Sequence, residues 1–226
     1  MIFQERRPEV FFLPRSGSEA EDFSVMRRRF NKRLDMETRF EKARRRNMVC
    51  AEPGLHDCIL VLDGLKPDFN IGKIFRTADA FSCREIHLVG VHAFDPEPAK
   101  GSVRWVKFSC HEDFASCYQE LRGQGYAVAT LEPGCDNLVG KTIFAQKTAF
   151  VLGHEEFGIS FDRKDYPDIT GLSIPQWGHV QSLNVSVAAS IVLYEYVRQH
   201  GRPLSEGLPQ KPASINTRRV ERKKSA

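Results

Sequence analysis

The feature of this sequence that most constrains its fold is a series of short apolar runs that alternate with helix-like segments from about residue 57 onward. The strand-like runs are 58–62, 85–89, 126–131, 148–152 and 172–174. The segments with helical periodicity are 70–81, 114–121 and 182–200, and Gly201 and Pro203 end the last of them. Continuous rather than alternating hydrophobicity indicates strands that are buried on both faces. The sequence therefore predicts an α/β fold with a mostly parallel sheet and helices on both faces.

The chain of 226 residues, 41% of them apolar, is long enough for one such domain with extensions. We expect a basic helical extension over residues 1–48, the α/β domain over 49–201, and a basic tail over 202–226. A helix predicted over 24–46 carries Met26, Phe30 and Leu34 on one face. We expect that face to dock on the domain or on a partner subunit.

The net charge of +4 is distributed unevenly along the chain. Residues 24–46 contain ten Lys and Arg against three acids, residues 198–226 contain eight against two, and residues 47–197 carry a net charge of −7. Two basic segments around an acidic body are typical of a nucleic-acid-binding protein, because contacts with phosphates release counterions. The arginines expected to contact RNA are Arg27, Arg28, Arg29, Arg44, Arg45, Arg46, Arg218 and Arg219. Contact of the basic segments with a protein or a membrane surface is the alternative.

Several classes of protein are disfavoured by the sequence. No run approaches the ~20 apolar residues that cross a bilayer, and the apolar stretch at 10–13 is too short for a signal peptide. The six cysteines form no C-x-x-C pair, so we expect reduced thiols in a cytoplasmic protein. Cys110, His111 and Cys117 match no common zinc spacing, and we therefore expect no metal.

Three polar clusters follow strands of the predicted sheet, where parallel sheets bind their ligands. Residues 67–76 follow the first strand, 153–158 follow the fourth, and 174–195 follow the last. In the first cluster we expect Asn70 to cap a helix whose second turn presents Arg76. In the second, Gly153 and Gly158 permit tight backbone geometry on either side of Glu155.

In the third cluster we expect Ser182 to open the last helix, with Asn184 and Ser186 in or just beyond its first turn. A helix start offers unpaired N–H groups and a partial positive charge, which suit a phosphate or a carboxylate. For Asn70 and Ser182, simple helix capping is the alternative interpretation. The three clusters predict one shared site and an RNA-like polyanion as partner, but they do not name the reaction.

The three clusters, in this order, resemble the three motifs of the SpoU/TrmH branch of the SPOUT RNA methyltransferases. Residues 70–81 are similar to the first motif, 153–160 to the second, and 174–178 with 182–188 to the third. The resemblance covers roughly residues 57–200, and each motif has several fixed positions. Residues 101–106 and 121–126 are similar to the tRNA-modifying members.

The resemblance implies a deep C-terminal trefoil knot, a homodimer and S-adenosylmethionine as cofactor. The cofactor is expected near Thr130, Gly153, Ile174 and Leu183, and the product would be a 2′-O-methylated ribose. The small RNA-binding domain that many ribosomal-RNA relatives carry ahead of the catalytic domain is not expected here. The basic extensions are instead similar to those of enzymes that methylate tRNA, with a guanosine of the D-loop as the expected acceptor.

The resemblance also implies roles for five residues. Arg76 would be the base that activates the ribose hydroxyl, or a clamp for phosphate and alkoxide, because a guanidinium scarcely loses its proton. Asn70 and Glu155 would hold the Arg76 loop and the ribose, while Ser182 and Asn184 would contact phosphate and hold the cofactor loop.

Two positions depart from the family pattern. His154 stands where a small or amide residue is usual, and Gln176 stands where a Met is usual, which could alter cofactor affinity. Two alternative functions remain open at the level of sequence: a methyltransferase for ribosomal RNA, and a non-catalytic RNA-binding protein with the same fold.

Overall fold

The computed structural model of the protein describes residues 17–201, with side chains from residue 31 onward. The predicted basic tail, with Arg218 and Arg219, lies outside the described residues. The side chains of Arg27, Arg28 and Arg29 also lie outside them. The predictions made for these five arginines therefore stay predictions.

Four α-helices and seven strands make up the regular structure of residues 17–201. The helices are α1 (Gly17–Cys50), α2 (Phe69–Ala80), α3 (Phe114–Gly123) and α4 (Val185–His200). The strands are β1 (His56–Asp63), β2 (Cys83–Val89), β3 (Phe108–His111), β4 (Ala127–Leu131), β5 (Asn137–Leu138), β6 (Thr148–Leu152) and β7 (Thr170–Ser173). The strands form one sheet in the order β3-β2-β1-β6-β4-β7-β5.

Each pairing in this sheet is parallel, so the predicted α/β class with a mostly parallel sheet is confirmed. Successive residues of β1 enter opposite faces of the sheet, as strand geometry requires. Cys58, Leu60 and Leu62 belong to a core shared with α1, α2 and α4. Ile59 and Val61 belong to a second core, under α3. Because helices cover both faces, nearly the whole of β1 is buried, and its sequence reads as a continuous apolar run.

Two strands, β3 and β5, were not predicted from the sequence. Both occupy the edges of the sheet, and each is short: four residues in β3 and two in β5. Their side chains are mostly half-buried or exposed, so they lack the apolar run that identifies a central strand.

The long helix α1 crosses the boundary predicted at 48/49 and ends at Cys50. It packs on the domain through Phe40, which is 2% exposed and makes an edge-on contact with Phe94 at 5.0 Å between ring centroids. The Asn47 amide nitrogen donates to the carbonyl oxygens of Val103 at 2.6 Å and Val106 at 2.7 Å. The described contacts of α1 with the body therefore come from Phe40 and Asn47, and docking of the predicted face on a partner subunit stays a prediction.

Leu34, the one residue of the predicted face whose side chain is described, is 53% exposed. The side chains of Met26 and Phe30, the other residues of that face, lie outside the described residues. None of the helices in the described part of the chain is long and apolar enough to cross a membrane.

Candidate active site

A cavity of about 460 Å³ lies at the carboxyl ends of β4, β6 and β7. Its walls come from the segments that follow these strands and from the first turns of α4. Residues that line it include Glu132, Gly153, Ile174, Gln176 and Leu183. The parallel sheet thus brings the second and third polar clusters to one place, as the rule for ligand binding in such sheets predicts.

Gly153 allows the chain to double back on itself at the floor of this cavity. A Cβ atom added to Gly153 would collide with the backbone of Gly158 and lie 2.5 Å from the amide nitrogen of Ile159. Gly158 itself has a φ of +74°, in the left-handed region that favours glycine. The two glycines therefore serve as predicted, one for close approach and the other for a tight turn.

His154 closes the loop between these glycines. Its backbone exchanges hydrogen bonds with Gly158, and its Nδ1 accepts from the backbone N–H groups of Glu156 at 3.0 Å and Phe157 at 3.3 Å. The imidazole also stacks on Phe157, with 4.7 Å between ring centroids. His154 thus contacts its own loop, which gives this departure from the family pattern a structural role.

A chain of side-chain hydrogen bonds connects all three polar clusters. The Asn70 amide nitrogen donates to Glu155 Oε1 at 2.9 Å, and the Asn184 amide nitrogen donates to Asn70 Oδ1 at 3.1 Å. Asn184 Oδ1 in turn accepts from the backbone N–H of Ser186 at 3.0 Å. Three predicted site residues, Asn70, Glu155 and Asn184, are therefore in direct contact.

The helix starts differ from those predicted. Asp68, not Asn70, caps α2, because its carboxylate accepts from the Asn70 backbone N–H at 3.1 Å. Asn184, not Ser182, caps α4, which begins at Val185. Because Asp68 caps α2, the Asn70 side chain is free to join Glu155 to Asn184.

Glu155 is held as an anion. Burial alone would raise the pKa of its carboxyl group, but hydrogen bonds from the Asn70 amide and from the Lys66 backbone N–H outweigh burial and lower the pKa. A carboxylate in this state accepts hydrogen bonds and does not donate a proton. The geometry therefore supports a positioning role for Glu155.

Asp63 holds Ser160, just beyond the second polar cluster, and was not predicted from the sequence. It ends β1, is almost fully buried, and accepts from the Ser160 backbone N–H at 2.6 Å and the Ser160 hydroxyl at 2.8 Å. Burial raises its pKa, and the two contacts with Ser160 partly offset that rise. Asp63 directly follows a continuous apolar run, and an acidic residue in that position is the sequence signal by which it could have been identified.

Glu132 was missed as well, and it lies two residues after Thr130, near which the cofactor is expected. Thr130 is fully buried within β4 and does not line the cavity; its hydroxyl donates to Glu132 Oε1 at 2.6 Å. The Arg163 guanidinium donates to the same oxygen at 3.0 Å. Glu132 thus reaches the cavity wall with one carboxylate oxygen fixed by two donors.

Arg76 and Ser182 lie at the surface. Arg76 is exposed on α2, and within the described part of the chain it makes no salt bridge or side-chain hydrogen bond. It is six residues beyond Asn70, which is about 9 Å along the helix. Ser182 is exposed on the cavity rim. Both side chains are therefore available to a large external ligand.

The cavity also contains an unpaired polar atom. Gln176 Oε1 is buried and has no hydrogen-bond partner among the residues that the structure describes. Buried acceptors are normally paired, so this oxygen marks a place for a ligand donor. The departure at position 176 therefore adds a hydrogen-bond acceptor to the wall.

Residues 57–194 match the sequence model of the SpoU rRNA methylase family. The chain is 34% identical over 184 residues to the tRNA (guanosine(18)-2′-O)-methyltransferase of Thermus thermophilus, covering 78% of this chain and 91% of that relative. It is 36% identical over 163 residues to the 23S rRNA (guanosine-2′-O-)-methyltransferase RlmB of Nitrosomonas europaea, covering 70% of this chain and 61% of that relative.

The fold has a solved counterpart in the SpoU methyltransferase AviRb from Streptomyces viridochromogenes, determined in complex with the cofactor AdoMet. The TM-score is 0.56 at 29% sequence identity, covering 66% of this chain and 58% of that chain. The resemblance carried by the three motifs is confirmed by these matches. The family model matches more than half of this chain, and the chain therefore belongs to the SpoU rRNA methylase family.

Proposed function

We propose that this protein is an S-adenosylmethionine-dependent RNA 2′-O-ribose methyltransferase that acts on tRNA, with a guanosine of the D-loop as acceptor. The observation that carries the proposal is the hydrogen-bonded chain Glu155–Asn70–Asn184 beside the cavity. It joins the three motifs of a family whose relatives are named as guanosine 2′-O-methyltransferases. The Thermus thermophilus relative, of which the chain covers 91%, is named for tRNA and supports that substrate.

The residues of the cavity suit the cofactor. Its lining contains no Lys or Arg among the described residues but contains Glu132 and Glu155, which favours a ligand with cationic groups such as a sulfonium and an ammonium. Gln176 Oε1 and the free oxygen of Glu132 are acceptors for the cofactor's N–H and O–H donors. Gly153, Ile174 and Leu183 would hold it by main-chain and apolar contacts. When bound, the cofactor supplies an electrophilic methyl group.

The chain's own residues would position the acceptor ribose. Methyl transfer needs an in-line nucleophile held close to the methyl group and little other chemistry. Arg76, which is exposed, would clamp a substrate phosphate and stabilise the negative charge on the 2′-oxygen as that hydroxyl passes its proton to solvent water and bonds to the methyl group. Asn70, held by Glu155 and Asn184, would fix the start of α2 in the required orientation. Ser182 would contact phosphate at the rim.

We also propose the C-terminal trefoil knot and the homodimer that are expected of the family. The segments after β4, β6 and β7 enclose one cavity, which is compatible with a knotted C-terminal region. Near that cavity, Phe157 is 81% exposed and Trp177 is 91% exposed, and a second copy of the chain would remove both from water. Light scattering on the purified protein should give twice the chain mass of 25.7 kDa.

The six free cysteines support a cytoplasmic location.

The decisive experiment incubates the full-length protein and S-adenosylmethionine with unmodified tRNA or ribosomal RNA transcripts, followed by nucleoside mass spectrometry. We expect 2′-O-methylguanosine in tRNA only. Arg76→Ala should abolish it, while Lys73→Ala, an exposed cation on the same helix, should retain it. Substantial activity of Arg76→Lys would argue against a need for the guanidinium itself.

A ribosomal substrate is the second candidate, favoured by the 36% identity to the 23S rRNA enzyme of Nitrosomonas europaea. Methylation of ribosomal RNA with tRNA untouched would establish it in place of the tRNA proposal. A non-catalytic RNA-binding protein would instead bind RNA independently of S-adenosylmethionine and transfer no methyl group to either RNA.

A further inference from the structure

We propose that His87, His111 and Cys117 form a Zn²⁺ site under α3, separate from the cavity that would bind the cofactor. None of the three residues lines that cavity. Their ligand atoms all lie within 4.8 Å of one another. His87 and Cys117 are fully buried, and the His111 side chain is 8% exposed.

Two of the three distances between the ligand atoms are close to those around a coordinated zinc ion. His87 Nδ1 lies 3.0 Å from His111 Nε2 and 3.4 Å from Cys117 Sγ. In a tetrahedral site, Zn–N bonds of about 2.0–2.1 Å and a Zn–S bond of about 2.3 Å give separations of roughly 3.3 Å between nitrogens and 3.6 Å from nitrogen to sulfur. These two separations match within a few tenths of an ångström, whereas His111 Nε2 and Cys117 Sγ, which lie within 4.8 Å of each other, would move closer together around the ion.

Three elements bring these residues together. His87 is on β2, and His111 ends β3, the parallel neighbour of β2. Cys117 lies in the first turn of α3, whose start is fixed by the Asp113 cap. The two imidazole rings are stacked, with 4.8 Å between centroids. The site is thus built on regular elements rather than on a loop, which favours a fixed geometry.

Glu85 supplies the outer contact that metal-bound histidines commonly have. Its Oε1 lies 3.4 Å from His87 Nε2, while Lys107 Nζ lies 3.0 Å from its other oxygen. His87 Nε2 is buried and has no aligned hydrogen bond in the described structure, so the contact with Glu85 is electrostatic. A metal on Nδ1 leaves the proton on Nε2, and a small rotation of Glu85 would align its carboxylate with that proton, as in the usual carboxylate–histidine–metal arrangement.

A fourth ligand is available at the solvent side. Glu120 Oε2 lies 4.0 Å from His111 Nε2, and the Glu120 side chain is 45% exposed, so a small rotation would bring it to the ion. Two imidazoles, a thiolate and a carboxylate form a donor set typical of Zn²⁺. Cys110, which precedes His111 in the sequence, is exposed and does not belong to this group of ligands.

The test uses full-length protein that has been stripped with a chelator and titrated first with Co²⁺, a coloured substitute for Zn²⁺, and then with Zn²⁺. We expect one Co²⁺ per chain, with the visible bands of a tetrahedral ion and a thiolate-to-cobalt band in the near ultraviolet, all displaced by Zn²⁺. Cys117→Ser should lose the thiolate band, whereas Cys110→Ser should keep it. Glu85→Gln should weaken binding by about 10–100-fold.

Circular dichroism and thermal melts identify any variant that fails to fold. Because a ligand that binds only the folded state raises Tm, Zn²⁺ should raise the Tm of the wild type and of Cys110→Ser but not of Cys117→Ser. If Cys117→Ser does not fold, the same measurements are made on His111→Gln, a change at the partly exposed ligand, which should also lose metal binding. Absence of tetrahedral Co²⁺ bands in the wild type, or unchanged bands in Cys117→Ser or His111→Gln, would overturn the proposal and leave a metal-free hydrogen-bonded cluster.

Discussion

At the scale of single residues, Asn70 connects the three polar clusters. Among the described residues, it is the only one of the five predicted catalytic residues whose side chain hydrogen-bonds two of the others. Its amide nitrogen is used by Glu155 and its amide oxygen by Asn184. An amide is required at this position, since no other small side chain offers both a donor and an acceptor at these places.

Replacing Asn70 should therefore damage catalysis more than cofactor binding. Asn70→Ala removes a hydrogen bond to a charged group, worth about 1.5–3 kcal/mol, so we expect methyl transfer to fall roughly 10–100-fold. Asn70→Asp should be worse, because it places a second carboxylate beside Glu155. Single-turnover methyl transfer to tRNA measures both, with Lys73→Ala as control. Equal rates for wild type and Asn70→Ala would contradict a positioning role.

Gly153 is a second position where one added atom should change both stability and cofactor binding. Because a Cβ there would collide with the backbone of Gly158, Gly153→Ala should shift the loop, cost about 1–3 kcal/mol of stability and weaken S-adenosylmethionine binding. Calorimetric titration and thermal melts measure the two effects. Gly140→Ala is the matched control, since an added Cβ meets nothing there within 4 Å. Unchanged cofactor affinity in Gly153→Ala would separate this loop from the cofactor site.

At the scale of elements, the described part of α1 is held by a few contacts, whereas α4 buries an apolar face in the main core between two polar ends. α1 depends on Phe40 and Asn47, both almost fully buried against the body of the domain. α4 begins at the Asn184 cap and ends with a cluster formed by Glu195, Arg198 and Gln199. Each helix therefore has positions at which substitution is costly and neighbours at which it is not.

The docking of α1 predicts a contrast between two apolar residues on the same helix. Phe40→Ala should destabilise the protein by about 3–5 kcal/mol, as expected for a buried aromatic side chain. Leu34→Ala, at a side chain that is 53% exposed, should change stability by less than about 0.5 kcal/mol. Urea unfolding followed by circular dichroism measures both. A large loss in Leu34→Ala would instead indicate that the first half of α1 docks on a partner.

The last turns of α4 predict a dependence of stability on pH. Hydrogen bonds from Arg198 lower the pKa of Glu195 from its ordinary 4.5 to about 2, against the opposing effect of burial. Since the pKa is lower in the folded state, this contact stabilises the protein fully above about pH 4.5 and is lost as the pH falls toward 2.

Glu195→Gln should therefore cost about 1 kcal/mol near neutral pH, a value limited by solvent screening of the half-exposed Arg198, and almost nothing near pH 2. Denaturant melts at a series of pH values measure the difference between variant and wild type. Glu112→Gln, at an exposed glutamate, should show no such trend. A difference that persists to pH 2 would assign the effect to packing rather than to charge.

At the scale of the whole molecule, the distribution of charge separates the acidic catalytic body from its basic extensions. Arg44, Arg45 and Arg46 are exposed near the end of α1, where they are held against the body by the docking of that helix. Phosphate contacts dominate nucleic-acid affinity and make it depend on salt. The proposed binding surface is therefore a rigid part of the folded chain in this region.

Changing Arg44, Arg45 and Arg46 together to Ser should weaken tRNA binding and reduce the slope of log affinity against log salt by roughly 2–3, because three phosphate contacts would be lost. Fluorescence anisotropy with labelled tRNA at several salt concentrations measures the slope. Lys141→Ser and Lys164→Ser, exposed cations remote in sequence from α1, serve as controls. An unchanged slope in the triple variant would exclude this part of α1 from the RNA interface.

The sequence by itself determined the α/β class, the central strands and the order of the three polar clusters. These features depend on periodicity and on continuous apolar runs, which neighbouring residues express directly. β1, β2, β4, β6 and β7 are all recognisable in this way, and their parallel arrangement places the clusters at one edge. The family resemblance followed from the same clusters and is confirmed.

Only the tertiary structure decided which side chains meet. Asn70 contacts Glu155 and Asn184, residues 85 and 114 positions away, because Asp68 and not Asn70 caps α2. His87 joins His111 and Cys117 across β2, β3 and α3, a grouping that spacing along the chain conceals. Local patterns encode the conformation of each segment. These contacts instead depend on the loop conformations and side-chain rotamers of the packed chain, and they join residues that are far apart in the sequence. No single stretch of sequence therefore predicts them.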